Sequence, residues 1–217
     1  MSEASSAVDA TVVARMLDDM AALQERHNRE VAEDWRERGF PYYRALWVEC
    51  AELLDHYGWT WWKKQMPDAD QVKLELVDIW HFGLSMLLRD DIAFGDVVTQ
   101  LHGTVGAARP PDQLRTDVET LALVALRDHA FSVPAFIDCM NAMGMTVTDL
   151  FESYIGKNVL NNFRQHHGYA AGSYRKLWSG REDNEHLMEV LAVLDPAVED
   201  FEQQLYAALQ ERYLASA

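Results

Sequence analysis

Four carboxylates stand in two pairs, Glu49 with Glu52 and Glu75 with Asp78. Each pair is spaced i, i+3, so on a helix both members point from one face. Their company is apolar: LWVECAELL surrounds the first pair and VKLELVDIWHF the second. A helix that is apolar nearly all round is a buried one, and a carboxylate on a buried face is costly unless a cation compensates it. The break between the two segments is short, which makes them antiparallel neighbours with facing acids. Four carboxylates across two helices form a hard oxygen site of the kind Mg²⁺ prefers, with waters and phosphate oxygens completing its shell. Two other readings fit the same letters. Glu-x-x-Glu is common on solvated helix faces. Asp78 with His81 also supplies one carboxylate-x-x-His of a di-iron bundle, although His56 follows Glu52 by four residues where that architecture wants three.

A second chemical feature is basic. The chain carries a formal net charge of −16, which argues against a general nucleic-acid or anionic-membrane surface. Yet Ser153 to Arg181 contains no Asp or Glu and holds Lys157, Arg164, Arg175, Lys176 and Arg181 with His166 and His167. Such a segment suits an anionic ligand, or an acidic surface elsewhere on the protein.

The elements that must position these groups read as helices. Val13, Met16, Met20, Leu23 and His27 mark a helix over about 9–34. A second runs over about 43–57 and stops at Gly58, and a third over about 70–88. Asp112 to His129 and Pro134 to Met143 give two more. Thr146 and Thr148 are N-cap candidates for a helix reaching about His166. Gly168, Gly172 and Gly180 mark an ordered loop, and a final helix over 188–213 is interrupted near Pro196. No window alternates for long, so strands are few or absent. The expected fold is all-α: a multi-helix bundle around a four-helix core, with a mobile basic loop near the C-terminal third. One domain spans 1–217, with 1–8 and 214–217 frayed. Two cysteines, Cys50 and Cys139, make no disulfide framework and fit a reducing, cytoplasmic setting. No apolar run is long enough to span a membrane, and no secretory signal is evident.

The segment FPYYRALWVECAELLDHYGWTWWKKQMPDADQVKLELVDIWHFGLSMLL and the later YIGKNVLNNFRQHHGYAAGSYRKLWSGREDNEHL resemble the dimeric all-α dUTPases of the kinetoplastid type, within the all-α nucleoside triphosphate pyrophosphohydrolases. The resemblance covers about Leu23 to Leu187 and is weakest over 92–145, which reads as an insert. It implies that Glu49, Glu52, Glu75 and Asp78 hold two or three Mg²⁺ ions. It implies that Gln24, Asn28, Trp61, His81 and Phe82 line the uracil and deoxyribose pocket, and that Lys157, Asn161, Arg164, Tyr169 and Lys176 hold phosphates. The residue types agree. Gln24 and Asn28 lie one helical turn apart, and carboxamides offer both a donor and an acceptor to a uracil edge. Trp61 suits stacking on a base, although Trp59, Trp61 and Trp62 equally suit a core. His81 suits the sugar 3′-hydroxyl or a packed interior, and Phe82 suits simple packing.

The implied activity is hydrolysis of dUTP, and of dUDP, to dUMP, with pyrophosphate released from dUTP. Mg²⁺ would activate the attacking water, Glu49 or Glu52, with Glu52 favoured, would take the proton, and the basic segment would close over the phosphates. Alternatives are an all-α pyrophosphohydrolase for dCTP or a modified nucleotide, and a non-catalytic helical dimer whose acidic faces bind a basic partner. A homodimer is implied by the resemblance, and seven Trp and nine Met supply apolar surface for one.

Overall fold

A computed structural model describes residues 9–104, 106–107, 109–169 and 171–216, with Thr104 described by its backbone alone. The expectation of a frayed start at 1–8 lies outside the described residues. Asp9 opens helix α1 (Ala10–Val31) by accepting from the Thr11 N–H at 2.8 Å. The buried stripe of α1 runs Val13, Met16, Leu17, Met20, Ala21, Leu23 and then Gln24 and Asn28. His27, expected on that stripe, is exposed. The apolar stripe thus gives way to two amides in the last turns of the helix, which is the first sign that this face meets something polar.

Pro41 precedes α2 (Tyr42–Tyr57), and Gly58 ends it at φ 89°, a conformation that favours glycine. The turn beyond is organised by the Gln65 side-chain oxygen, which accepts from the Trp59 N–H at 3.0 Å, the Thr60 N–H at 2.8 Å and the Thr60 hydroxyl at 2.6 Å. Asp68 then caps α3 (Ala69–Arg89) through the Gln71 N–H. The Asp68 N–H also donates to the His56 carbonyl at 3.0 Å, returning the start of α3 to the end of α2 and making the pair antiparallel. α3 is buried on most of its circumference, with α1 and α2 packed against it. Gly83 allows a close approach there: a Cβ at this position would lie 2.7 Å from the Phe131 ring.

The stretch 92–145, read from the sequence as an insert, is part of the helical framework. α4 (Phe94–Thr104), which the sequence reading missed, packs on α1. A 3-10 turn at Pro111–Gln113 leads into α5 (Leu114–Asp128), which packs on α2. α6 (Val133–Ala142) packs on α5 and α4, capped by Ser132. Of the two N-cap candidates for α7 (Val147–His166), Thr146 serves: its hydroxyl accepts from the Asp149 N–H at 3.1 Å, and Asp149 accepts the Thr146 N–H at 2.8 Å.

The chain divides into two compact units, the first ending at Leu150 and the second beginning at Phe151. In the second unit Phe163 gathers His167, Trp178, Tyr206 and Tyr213 into one aromatic cluster. A two-stranded hairpin, β1 (Leu177–Trp178) with β2 (Arg181–Glu182), turns through Ser179 and Gly180, both at positive φ. This falls where an ordered loop was expected, and the Ser-Gly pair is its turn signal. The Arg164 guanidinium donates twice to Asp183, at 2.8 and 2.9 Å, and the Tyr174 hydroxyl donates to the same carboxylate at 2.8 Å.

The final helix expected over 188–213 with an interruption near Pro196 is two helices, α8 (Asp183–Leu191) and α9 (Phe201–Ala215). Pro196 brings no N–H to a helix there, and the Asp195 side chain instead takes the Ala197 N–H at 2.9 Å. The expected frayed end at 214–217 is helical through Ala215, because Arg175 donates to the Tyr213 and Ser216 carbonyls at the end of α9. Residue 217 lies outside the described residues. No described helix is long and apolar enough to cross a membrane.

Candidate active site

The antiparallel α2–α3 pair brings the acids together. Glu49, Glu52 and Glu75 place carboxylate oxygens within 4.8 Å of one another. Glu75 is buried, Glu49 half-buried and Glu52 exposed, so the cluster opens to solvent along α2 rather than lying in a fully dry cleft. Glu49 and Glu75 share a side-chain hydrogen bond. The Glu49 carboxyl is pushed up to about 7, first by burial and then by the negative charges of Asp78 and Glu52. Glu75 is also raised, by burial and then by Asp78. Asp78, one turn along α3 from Glu75, therefore acts on both, and all four acids share one electrostatic neighbourhood. The His56 imidazole lies 3.4 Å from Glu75. The sequence reading weighed it only as a poorly spaced di-iron ligand, four residues after Glu52.

The donor set fits a hard divalent cation. The clustered donors are carboxylate oxygens, their spacing is within reach of shared ions, and the burial and mutual repulsion that raise Glu49 and Glu75 are what a cation would relieve. The histidine of the Asp78-x-x-His81 pair is not grouped with the clustered acids. His81 instead lines a cavity of about 220 Å³ and faces His27 with ring centroids 5.5 Å apart.

That cavity collects four of the five residues proposed for the nucleoside: Gln24, Asn28, His81 and Phe82. Gln24 and Asn28 are 2% and 3% exposed, a placement that carboxamides tolerate only when hydrogen-bonded. Their partner is Ser85, which the sequence reading missed. The Gln24 amide donates to the Ser85 hydroxyl oxygen at 2.9 Å and the Asn28 amide at 3.1 Å. A lone hydroxyl in the apolar run GLSMLL, one turn after His81, was the available signal. Phe40 and Tyr42 border this cavity and also a larger one of about 440 Å³ that reaches Glu49. The amide cavity and the hollow that reaches Glu49 thus share the same two aromatic residues in their linings.

Trp61 is not brought to this cavity. It is 87% exposed in the turn after α2, with Trp62, Lys63 and Lys64 around a separate hollow. Gln65 shapes that turn and leaves the indole outside. Of the phosphate candidates, all in the second unit, Arg164 is engaged with Asp183 and Lys176 lies 3.3 Å from Glu182. Asn161 and Tyr169 are exposed, and Lys157 is half-buried on α7.

Residues 16–169 match a protein-family model described as dUTPase. The chain belongs to the all-α dUTPase family. The match takes in both amides, all four acids and the whole of 92–145, and it ends at Tyr169, so Lys176 lies beyond it. No curated protein matches the chain. Membership of the dUTPase family supports a hydrolase of nucleotide metabolism with dUTP diphosphatase activity in general terms.

Proposed function

We propose that this dUTPase-family chain hydrolyses dUTP, and dUDP, to dUMP, releasing pyrophosphate from dUTP. The observation that carries the reading is the pairing of a buried amide cavity with a carboxylate cluster across the shared Phe40 and Tyr42. Glu49, Glu52, Glu75 and Asp78 would hold Mg²⁺, in two or three ions. When bound, Mg²⁺ neutralises phosphate charge and increases the acidity of a coordinated water. The chain's own residues do the rest. Gln24 and Asn28 hold the base by its polar edge, and His81 donates to the sugar 3′-hydroxyl. Glu52, the exposed member of the trio, takes the proton of the attacking water. A new P–O bond forms to that water oxygen, and a P–O bond of the bridge between the α and β phosphates breaks. The family resemblance supports Lys157, Asn161, Arg164, Tyr169 and Lys176 as phosphate ligands.

A homodimer belongs to the same reading. Trp47, Val48, Leu74, Leu123 and Leu126 leave apolar surface exposed on α2, α3 and α5, as a partner-facing surface would. A cytoplasmic location is supported by two buried, unbridged thiols, Cys50 and Cys139. The test is pyrophosphate release from each deoxynucleoside triphosphate, with Mg²⁺ and with EDTA. Release from dUTP in Mg²⁺ and none in EDTA is the expected result. Preference for another base, or activity undiminished by chelation, overturns the reading.

A further inference from the structure

The two amides on the smaller cavity cannot be turned over without loss, and Ser85 is the reason. Ser85 is fully buried on α3, and its hydroxyl lies 3.1 Å from the His81 carbonyl oxygen one turn earlier. Two acceptors lie within reach of that hydroxyl, the His81 carbonyl and, farther off at 3.4 Å, the Asn28 side-chain oxygen, and the nearer carbonyl takes its single proton. The Ser85 oxygen then meets its other neighbours with lone pairs alone. Those neighbours are the Gln24 amide at 2.9 Å and the Asn28 amide at 3.1 Å, so each must present its NH₂ and not its carbonyl. The same orientation sets the Gln24 NH₂ against the Asn28 oxygen at 3.1 Å, donor to acceptor. Rotating either amide by half a turn would set oxygen against oxygen between buried side chains, an expensive mismatch. A backbone carbonyl whose chemistry is fixed by the helix thus dictates, through one hydroxyl, the direction of two side chains.

The consequence is selective. Uracil presents a keto oxygen beside an N–H, an acceptor beside a donor. Cytosine presents an amino group beside a bare ring nitrogen, the reverse order. A carboxamide that can rotate satisfies either pyrimidine, because its two ends interchange. A carboxamide locked in one direction suits one order and opposes the other. We propose that Ser85 is a specificity-determining positioning residue, which fixes the donor and acceptor order of Gln24 and Asn28 so that the cavity takes uracil and refuses cytosine. The proposal rests on the dUTP reading above and adds to it the residue that enforces the choice of base.

The experiment compares kcat/KM for dUTP and dCTP in the wild-type chain and in Ser85→Ala, with Ser85→Thr as the variant that keeps the hydroxyl. The expected result is a fall of about tenfold or more in the dUTP-over-dCTP ratio for Ser85→Ala, since a site that no longer fixes its polar groups loses its power to reject. The ratio is retained in Ser85→Thr. A residue that served packing alone would lower both substrates together and leave the ratio where it was, and that outcome overturns the proposal. Should Ser85→Ala fail to fold, hydrogen exchange of the side-chain amides in nucleotide-free wild-type protein decides. Slow exchange of the Gln24 and Asn28 NH₂ hydrogens is expected, and exchange as fast as that of exposed carboxamides refutes the lock. A wild-type chain that turns over neither nucleotide removes the functional reading itself, and with it the role of Ser85. A chain active on dUTP with an unchanged ratio in Ser85→Ala removes only the role of Ser85.

Discussion

Chelating divalent cations and raising the pH must destabilise the first unit, because its folding brings acids together that the unfolded chain keeps apart. Glu49 supplies the magnitude. Its carboxyl moves from 4.5 to about 7 on folding, which at 1.36 kcal/mol per pH unit is ~3 kcal/mol for a fully buried group. Glu49 is only half-buried, so solvent screening reduces this to ~1 kcal/mol. The sign follows from which state binds the proton more tightly. Below the unfolded value both states are protonated and nothing is lost. Between 4.5 and about 7 the unfolded chain gives up its proton while the folded chain keeps it, so stability falls as the pH rises and levels off above about 7. For a chain this long, ~1 kcal/mol moves the melting temperature by ~2–4 °C. The assay is thermal unfolding in EDTA across that interval, repeated with Mg²⁺ and with Glu75→Gln. Glu75→Gln removes the buried negative charge that Glu49 faces, so the loss between acid and neutral pH shrinks. Mg²⁺ cancels the loss in the wild-type chain by binding the folded state alone. A melting temperature in EDTA that holds or rises over this interval, or a loss identical in Glu75→Gln, would refute the facing of these acids.

Three further outcomes follow from the same geometry. Glu52→Gln, which removes a charge at nearly constant volume, lowers dUTP turnover by about a hundredfold or more while circular dichroism and melting stay close to wild type; near-full activity denies Glu52 a role in metal or proton handling. Arg164→Met strands the buried Asp183 carboxylate beside Tyr174 and costs about 3 kcal/mol of stability in nucleotide-free protein, read by urea unfolding; a variant as stable as wild type would show the pair to be dispensable. Gly83→Ala drives a methyl against the Phe131 ring, 2.7 Å away, and destabilises by about 1–3 kcal/mol on the same assay.

The sequence disclosed most where a local rule coincided with the tertiary outcome. α2 and α3 begin and end within a residue or so of their expected bounds, because Gly58 and Asp68 are punctuation that tertiary contacts do not override. The facing acids were legible because an i, i+3 spacing inside an apolar segment, on each of two adjoining helices, sets both pairs toward the partner helix. α4 was missed because Gly95 and Gly103 lower the helical propensity of a segment that packing on α1 nevertheless holds. The hairpin at 177–182 was missed because its strands are two residues each, too short to alternate. Trp61 was placed by the family resemblance with its residue type in support, and neither says which way a turn points a side chain. That direction is set by the Gln65 hydrogen bonds, which no periodicity encodes.

The amide cavity is the instructive case, because local pattern and final structure disagree there in a regular way. By helical periodicity His27 belongs on the inward stripe of α1 and Gln24 and Asn28 beside it. The structure buries the two amides and leaves His27 exposed at the cavity mouth. Apolar side chains at 24 and 28 would continue the stripe and would add burial with no hydrogen bonds to satisfy. Ser85 interrupts the apolar run of α3 at the same level, and the three interruptions satisfy one another. Chance polar substitutions in a core are destabilising one at a time. Three that meet, close each other's hydrogen bonds and border a hollow of about 220 Å³ are the arrangement expected when stability has been exchanged for recognition of a polar edge. The proposed site is therefore visible in the sequence as a set of coordinated failures of the hydrophobic pattern, and the fold is needed to see that the failures coincide.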